Sequence, residues 1–230
     1  MPDISVVVPG PAELAEAAAA WTADHIRSAI AERGACYWAL AGGETPRGCY
    51  ERLAQPPYRE GLHWRSVFVY WSDERQVPLD DPSSNYAMAK TALLDHVPIP
   101  PNQVFPLVGD PTPALRRVPP DAAGRPRFDV IHLGLGDDGH TASLFPGSPA
   151  LQENRVLVAV VHNAPKPPPE RLSFTLPVIN AARAVLFMVQ GASKREALVR
   201  VRRRDPSVPA THVQPVDGEL RFIVDQAALP

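Results

Sequence analysis

The stretch FDVIHLGLGDDGHTASLFP, residues 128 to 146, decides the fold that we predict for this chain of 230 residues. It begins with a short apolar run, Phe128 to Leu133, continues through a glycine-rich turn and presents His140 beyond that turn. A short apolar run that leads directly into a polar loop is typical of a buried parallel strand with a functional loop at its carboxyl end. We therefore predict a strand here and expect the chemistry in the loop that follows.

Similar pairs of apolar runs and helical segments recur along the whole chain. The predicted helices cover Pro11 to Arg33, Pro46 to Ala54, Asn85 to Asp95 and Lys194 to Arg202. The other predicted strands cover Ile4 to Val8, Ala35 to Ala41, Ser66 to Trp71, Arg155 to Val161, Leu172 to Leu176, Ala184 to Val189 and Leu220 to Val224. Strands that alternate with helices in this way predict a doubly wound α/β sheet with helices on both faces.

Composition and charge narrow the class of protein. Hydrophobic residues make up 45% and charged residues 21%, which excludes a disordered or fibrous chain. The formal net charge of -2 supplies no broad positive field for nucleic acid or an anionic membrane. With only Cys36 and Cys49 and no secretory leader, we expect a cytoplasmic protein. We expect one domain over residues 1 to 230, a monomer or weak homo-oligomer, with no membrane or nucleic-acid partner.

The first polar loop, AGGETP from residue 41, follows a predicted strand and opens a predicted helix. Gly42 and Gly43 allow positive φ and a close backbone approach, and Thr45 is a candidate N-cap with a proline after it. The unpaired N–H groups and the macrodipole of such a helix start favour an anion such as phosphate. A tight turn that binds nothing is the alternative, and the Glu44 carboxylate would repel phosphate unless it points away.

The second polar loop, WSDERQVP from residue 71, places Asp73 and Arg75 directly after a buried strand. Charged side chains at such a position are costly to bury unless they face a cleft, so either residue can reach a ligand there. An exposed surface turn is the alternative. Ser83, Ser84 and Asn85 follow as candidate N-caps for the next helix, and we expect Ser84 to be the cap.

The third loop, which begins at Gly134, carries the strongest candidate for catalysis. Its Asp-Gly turn presents His140, and Asp138 is near enough in sequence to orient the imidazole ring. We therefore predict that His140 is a general base. His132 lies inside a predicted strand and is expected to be a core histidine, and the remaining five histidines have no catalytic setting.

Two basic residues extend the same pattern. Arg171 stands at the head of a predicted strand, and Lys194 follows the strand that ends at Gln190. Both residues therefore lie next to the end of a predicted strand, which is where open α/β sheets bind ligands. A solvated surface charge is the alternative for either residue, and the run Arg200 to Arg204 is expected to be a solvated helix end.

Three motifs and two later positions form one set: AGGETP at 41 to 46, DERQVP at 73 to 78 with Ser84 and Asn85 after it, GLGDDGHTASLFP at 134 to 146, Arg171, and GASK at 191 to 194. This set resembles the motifs of the 6-phosphogluconolactonase family of the pentose phosphate pathway. The resemblance runs from about Leu40 to Leu198, and the third motif is its most specific part. The chain departs from the family at Ala41 and Glu44, where serine is frequent.

The resemblance implies a Rossmann-like three-layer α/β/α sandwich with a mostly parallel sheet and a small extra subdomain. This fold is shared with glucosamine-6-phosphate deaminases and ribose-5-phosphate isomerases. The implied activity is the hydrolysis of 6-phospho-D-glucono-1,5-lactone to 6-phosphogluconate, and we expect no metal and no cofactor, nucleotides included. In the family the glycine loop, an arginine and a lysine surround the phosphate, which assigns that role here to Gly43, Thr45, Arg171 and Lys194.

The mechanism that the resemblance implies uses His140 to remove a proton from the water that attacks the lactone carbonyl. We assign Arg75 to the oxyanion or to a substrate hydroxyl, and Asp138 to the stabilisation of the charged imidazole. The remaining candidates are Asp73 for catalysis, and Gly42 and Asn85 for substrate binding.

Two alternative functions stay open at this point. A glucosamine-6-phosphate deaminase shares the phosphate loop and the Asp-Gly-His turn but opens and isomerises an aminosugar, and Arg75 and the TASLFP that follows His140 are the lactonase-like features that separate the two. The other alternative is a catalytically silent sugar-phosphate sensor, because this fold also serves as an effector domain in regulators. The intact candidate base and the lack of a DNA-binding extension argue against it.

Overall fold

The computed structural model describes residues 6–230, and nine strands and seven α-helices lie in that part of the chain. The strands are β1 (Val6–Val8), β2 (Cys36–Leu40), β3 (Val67–Trp71), β4 (Asp73–Arg75), β5 (Val130–Gly134), β6 (Val158–Val161), β7 (Arg171–Phe174), β8 (Ala184–Val189) and β9 (Glu219–Asp225). The helices are α1 (Pro11–Arg33), α2 (Glu44–Leu53), α3 (Tyr58–Gly61), α4 (Asn85–Ala89), α5 (Thr112–Leu115), α6 (Leu176–Asn180) and α7 (Arg195–Arg202).

Six of these strands form the main sheet, in the order β1-β9-β8-β5-β2-β3. All neighbouring pairs in it run parallel. Strands of a parallel sheet are covered on both faces and therefore consist of apolar runs, and β8, with the sequence AVLFMV, is buried over its full length. The parallel sheet with interleaved helices confirms the α/β fold class predicted from the sequence.

The longest helix, α1, has the bounds that its sequence predicted. Leu14, Ala18 and Ile26 are buried at spacings of four and eight residues, so they share the face of the helix that packs against the main sheet. The helix ends at Gly34, whose φ of 79° is left-handed and whose N–H donates to a carbonyl in the last turn at 2.9 Å. Within residues 6–230, neither this helix nor any other combines the length and hydropathy that a membrane crossing requires.

Three short antiparallel strands form a second sheet, in the order β4-β7-β6. Ser72 joins the two sheets. Its N–H donates to the Leu40 carbonyl at 2.8 Å, and its own carbonyl accepts the Phe174 N–H at 2.7 Å. The second sheet therefore begins at the carboxyl ends of β2 and β3, and it forms the small extra unit that the family resemblance implied.

The polar segment after β3 is a strand and not the loop that we predicted. Asp73 pairs with Ser173 of β7, and Arg75 pairs with Arg171. We predicted a loop or a surface turn because acidic residues such as Asp73 and Glu74 are disfavoured in strands. The hydrogen bonds to β7 come from a distant part of the chain, and they outweigh the local preference.

Further local predictions are wrong. Helix α2 begins at Glu44 with Gly43 as its N-cap, so Thr45 lies inside the first turn and is not the cap. The φ of 101° at Gly43 turns the chain into the helix before Thr45 is reached. The strand that we predicted from Arg155 begins only at Val158. The strand predicted over Leu172 to Leu176 ends at Phe174, and Leu176 begins α6.

The predicted cap of α4 agrees with the structure. The Ser84 hydroxyl accepts the N–H of the residue three positions on at 3.2 Å, which confirms Ser84 as the N-cap of α4. The helix predicted over Asn85 to Asp95 consists of α4 and a π-helical turn, Lys90–Leu94. Of the strand predicted over Ile4 to Val8, positions 4 and 5 lie outside the described residues, and the rest forms β1.

His132 is the core histidine that its place in a strand predicted. Its side chain is fully buried in β5, and Nε2 lies 2.9 Å from the Thr22 hydroxyl. Because that hydroxyl donates its proton to the Ala18 carbonyl at 2.7 Å, the His132 ring must donate from Nε2. Tyr50 stacks on the ring at a centroid distance of 5.8 Å. Burial lowers the pKa of His132 to about 3.

We predict that His132 makes folding stability fall as the pH is lowered from about 6.5 towards 4. The unfolded chain binds a proton at the ordinary histidine pKa of 6.5, whereas the folded chain keeps His132 neutral down to about pH 3. The loss amounts to at most about 1.4 kcal/mol of unfolding free energy per pH unit. His132→Gln keeps a donor for Thr22 but does not titrate, so urea unfolding should show a shallower pH slope. An unchanged slope would contradict the prediction.

Candidate active site

A cleft of about 330 Å³ opens at the carboxyl edge of the main sheet, beside the ends of β2, β5 and β8. Nine of the ten site residues predicted from the sequence lie on its wall: Gly42, Gly43, Thr45, Asp73, Arg75, Asn85, His140, Arg171 and Lys194. The tenth, Asp138, is hydrogen-bonded to one of them. The structure thus brings the predicted residues together, while their roles stay predictions.

His140 and Asp138 form a hydrogen-bonded pair in the loop after β5. Asp138 Oδ1 lies 2.6 Å from His140 Nδ1 and also accepts the backbone N–H of His140 at 3.0 Å. Burial alone would raise the pKa of the Asp138 carboxyl, but the hydrogen bonds and the charge of His140 lower it below its ordinary value. Asp138 is therefore an ionised acceptor at neutral pH, so the proton of the neutral His140 ring is on Nδ1.

The second ring nitrogen of His140, Nε2, has no hydrogen-bond partner among residues 6–230, and the ring lines the cleft. Burial lowers the pKa of His140, and the Asp138 carboxylate opposes that change without reversing it. Phe145 packs against the ring at a centroid distance of 4.5 Å. His140 therefore offers the cleft a neutral, oriented nitrogen base, which is what general base catalysis requires.

Two glycines make room for polar side chains of the cleft. A Cβ atom at Gly136 would lie 2.1 Å from His140 Nδ1 and 2.5 Å from Asp138 Oδ1. A Cβ atom at Gly42 would lie 1.8 Å from the Asn85 side-chain oxygen. The contacts at Gly136 were not predicted, because they depend on how tightly the turn closes after the strand.

Arg171 is a buried cation in the wall of the cleft, and its side chain is only 3% exposed. Its guanidinium donates to the carbonyls of Lys166 and Pro168 at 2.7 and 3.0 Å and lies 5.5 Å from the centroid of the Phe145 ring. Burial lowers the pKa of Arg171 and the Asp73 carboxylate opposes that change, yet a guanidinium remains charged in any protein environment. Neutral acceptors thus orient the cation without neutralising it.

Lys194 reaches the cleft from the turn after β8. Gly191 starts this turn with a φ of 91°, and its N–H donates to the Asp225 carboxylate at 2.9 Å. Burial lowers the pKa of Lys194, and Asp137 opposes that change. Asp137 is itself paired with Lys166. The cleft therefore has a second cation, placed close to the loop that carries the candidate base.

Strand β4 directs alternate side chains to opposite sides. Asp73 and Arg75 line the cleft, whereas Glu74 is buried away from it. Glu74 accepts the backbone N–H groups of Asn85 and Tyr86 at 2.7 and 2.8 Å, so it caps the start of α4. Burial raises the pKa of Glu74, and these hydrogen bonds oppose that change. This capping role was not predicted, because the acid stands 11 residues before the helix.

Two charged side chains at the mouth of the cleft differ in their partners. Arg75 donates to the Ser83 carbonyl, and its Nε is buried with no acceptor in the described part of the chain. Glu44 is 84% exposed at its side chain, and its carboxylate lies 3.5 Å from the Arg47 guanidinium. The charge of Glu44, which we expected to weaken an anion site, is thus offset by a neighbouring cation.

An open parallel sheet with a polar cleft at its carboxyl edge defines the class of α/β proteins that bind a small ligand at that edge. This chain matches the family described as glucosamine-6-phosphate isomerases/6-phosphogluconolactonase over residues 9–222. The chain belongs to that family. The prediction of the family from three loop motifs is therefore confirmed.

Individual relatives agree with the family match. A 6-phosphogluconolactonase of Synechocystis sp. is 43% identical over 94% of this chain and 92% of its own length. A 6-phosphogluconolactonase of Streptomyces coelicolor is 39% identical over 80% of this chain and 77% of its own. Among solved structures, 6-phosphogluconolactonase from Trypanosoma brucei has a TM-score of 0.83 and 29% identity, covering 97% of both chains. A monomeric glucosamine-6-phosphate deaminase, at a TM-score of 0.77 and 24% identity, shares the fold.

We predict that Gly136→Ala disrupts the hydrogen bond between His140 and Asp138, and that Gly134→Ala leaves it intact. An added Cβ at Gly134 meets no atom within 4 Å, and neither glycine has a positive φ, so the two variants differ in the clash alone. The ¹⁵N NMR signals of the imidazole rings check this. The wild type and G134A should show the Nδ1–H tautomer at His140, and G136A should lose it. Wild-type ring signals in G136A would refute the steric argument.

Proposed function

We propose that this protein hydrolyses 6-phospho-D-glucono-1,5-lactone to 6-phosphogluconate in the oxidative pentose phosphate pathway. The observation that carries the proposal is that His140, which is hydrogen-bonded to Asp138, lines the same cleft as two cations, Arg171 and Lys194. A base close to a group that binds phosphate is what the hydrolysis of a phosphorylated lactone requires. The name 6-phosphogluconolactonase in relatives from two bacteria supports the same substrate.

The proposed general base is Nε2 of His140. It takes a proton from water as the water oxygen bonds to the lactone carbonyl carbon, and the carbonyl electron pair moves onto oxygen. Asp138 stabilises the imidazolium that forms, and Arg75 is the cation assigned to the tetrahedral oxyanion. When the oxyanion collapses, the bond from carbon to the ring oxygen breaks, and His140 returns its proton to that oxygen. The product acid then ionises and releases one proton to solvent.

The substrate phosphate is assigned to Arg171, to Lys194 and to the first-turn N–H groups of α2. The Arg171 guanidinium has several N–H donors in one plane, and the Lys194 ammonium is a compact charge on a flexible side chain. The start of α2 adds backbone N–H groups that have no partner within the helix. Binding this remote group fixes the lactone carbonyl near His140 and so reduces the entropic cost of reaction. Asp73 remains a catalytic candidate, because its carboxylate lines the same cleft.

The two alternative functions have less support. The similarity to a glucosamine-6-phosphate deaminase is a similarity of fold. A sensor without catalytic activity would not need the oriented base that His140 and Asp138 form. We also propose that the reaction takes place in the cytoplasm. Cys36 and Cys49 are free and buried, as expected for a protein of a reducing compartment.

We predict that His140→Ala lowers the turnover of 6-phosphogluconolactone by about 10²- to 10⁴-fold, the usual contribution of a general base. Affinity for 6-phosphogluconate should change little, because the phosphate contacts remain. Proton release from freshly made lactone, corrected for spontaneous hydrolysis, measures the effect. His96→Ala is the matched control, since His96 is exposed and, within residues 6–230, its ring is hydrogen-bonded to the Thr91 carbonyl alone. Lost affinity with unchanged turnover in H140A would overturn the assignment.

We predict that Arg171→Ala lowers kcat/KM for the phosphorylated lactone by about 10- to 100-fold, the effect of losing a hydrogen bond to a charged group. The slow hydrolysis of unphosphorylated gluconolactone should be unchanged, because that substrate has no group for Arg171 to bind. This unchanged rate also reports that the variant is folded. Arg116→Ala, at an exposed position, is the control. Equal losses on both substrates in R171A would remove the phosphate assignment.

A further inference from the structure

Ser143 stands between two opposite charges of the cleft. Its hydroxyl donates to Asp73 Oδ2 at 2.7 Å and accepts from Arg171 Nη1 at 3.4 Å. The Ser143 side chain is fully buried and is not part of the cleft surface. Ser143 therefore cannot contact a ligand directly, but it contacts two residues that do line the cleft.

The two charges on either side of Ser143 do not pair with each other. Among residues 6–230, no carboxylate forms an ion pair with Arg171, whose other donors go to backbone carbonyls at 2.7 to 3.3 Å. The second oxygen of Asp73 accepts only the Asn85 amide, at 3.2 Å. A buried carboxylate and a buried guanidinium attract each other strongly when no polar atom separates them. The Ser143 oxygen is the polar atom that lies between them.

The backbone around Ser143 is fixed by the second sheet. The Ser143 N–H donates to the Ser173 hydroxyl at 3.1 Å, and Ser173 donates in turn to the Phe174 carbonyl at 3.1 Å. Ser173 is also the residue that pairs with Asp73 across β4 and β7. The register of two short strands therefore sets the position of the serine relative to the carboxylate.

We propose that Ser143 is a positioning residue that keeps the Asp73 carboxylate from pairing with Arg171, so that the guanidinium stays available for the phosphate of the substrate. This inference rests on the proposed function, because it takes Arg171 as a phosphate ligand. When the hydroxyl is removed, Asp73 loses its closest donor and turns to Arg171 as the nearest alternative. The substrate phosphate must then displace a carboxylate before it can bind.

A double-mutant cycle tests this role, with 6-phosphogluconate as the titrated ligand in calorimetry. The four proteins are the wild type, S143A, D73N and S143A/D73N. S143A should weaken binding by about 10-fold in the wild-type background, because the charge-assisted contact between Arg171 and the phosphate is impaired. The same serine change should have no effect in the D73N background, since no carboxylate is left to compete. A loss of packing alone would weaken binding equally in both backgrounds, and that outcome overturns the proposal.

Kinetics and two further variants complete the test. S143A should raise KM for the phosphorylated lactone without changing the rate on unphosphorylated gluconolactone, and an equal loss on both substrates would count against the proposal. If S143A does not fold, S143C enters the same cycle, because a thiol has a similar size but donates and accepts weakly. Arg171→Ala separates the two proposals. Wild-type affinity in R171A refutes the phosphate assignment itself, whereas wild-type affinity in S143A refutes only the role of Ser143.

Discussion

The hydrogen bond between the Asp138 carboxylate and Nδ1 of His140 is the interaction on which the rest of the cleft depends. The two atoms lie 2.6 Å apart, and because the bond holds a proton on Nδ1, Nε2 is the nitrogen of the neutral His140 ring that can accept a proton. The bond forms because the turn after β5 is short enough for one carboxylate oxygen to reach both the backbone and the ring of His140. Gly136 keeps the space in which the two side chains meet. The base is thus positioned by local covalent geometry, and the cations are brought to it by the sheets.

The two arginines of the cleft come from strands that meet at the junction of the two sheets. Ser72 is hydrogen-bonded to both sheets, so β4 starts where β2 and β3 end. From this junction the antiparallel pairing with β7 places Arg75 opposite Arg171 on the wall of the cleft. The Arg75 and Arg171 guanidinium groups repel each other there, and the buried Asp73 carboxylate of β4 partly compensates this repulsion at Arg171. The second sheet therefore positions the charges of Asp73, Arg75 and Arg171 relative to one another, while the main sheet forms the edge at which the cleft opens.

The sequence predicted the α/β class, the family and ten site residues, of which nine line the cleft, because parallel strands end at one edge and their polar loops must meet there. Apart from local details at Thr45 and Gly136, it failed where a contact joins distant parts of the chain. Strand β4 was expected to be a loop, since nothing in its own residues indicates pairing with β7. The hydrogen bond from Ser143 to Asp73 spans 70 positions, and Glu74, which caps α4, stands 11 positions before the helix instead of directly next to it. Local patterns carry no information about such pairs.

The alternation of side chains along β4 has a consequence for how this segment can change over time. Three consecutive residues serve two separate tasks, since Asp73 and Arg75 face the cleft and Glu74 between them holds the start of α4. Replacing one of these side chains affects one task. Inserting or deleting a single residue would exchange the two faces, so that both tasks would fail together. The length of this segment is therefore under a stronger physical constraint than the identity of any one of its side chains.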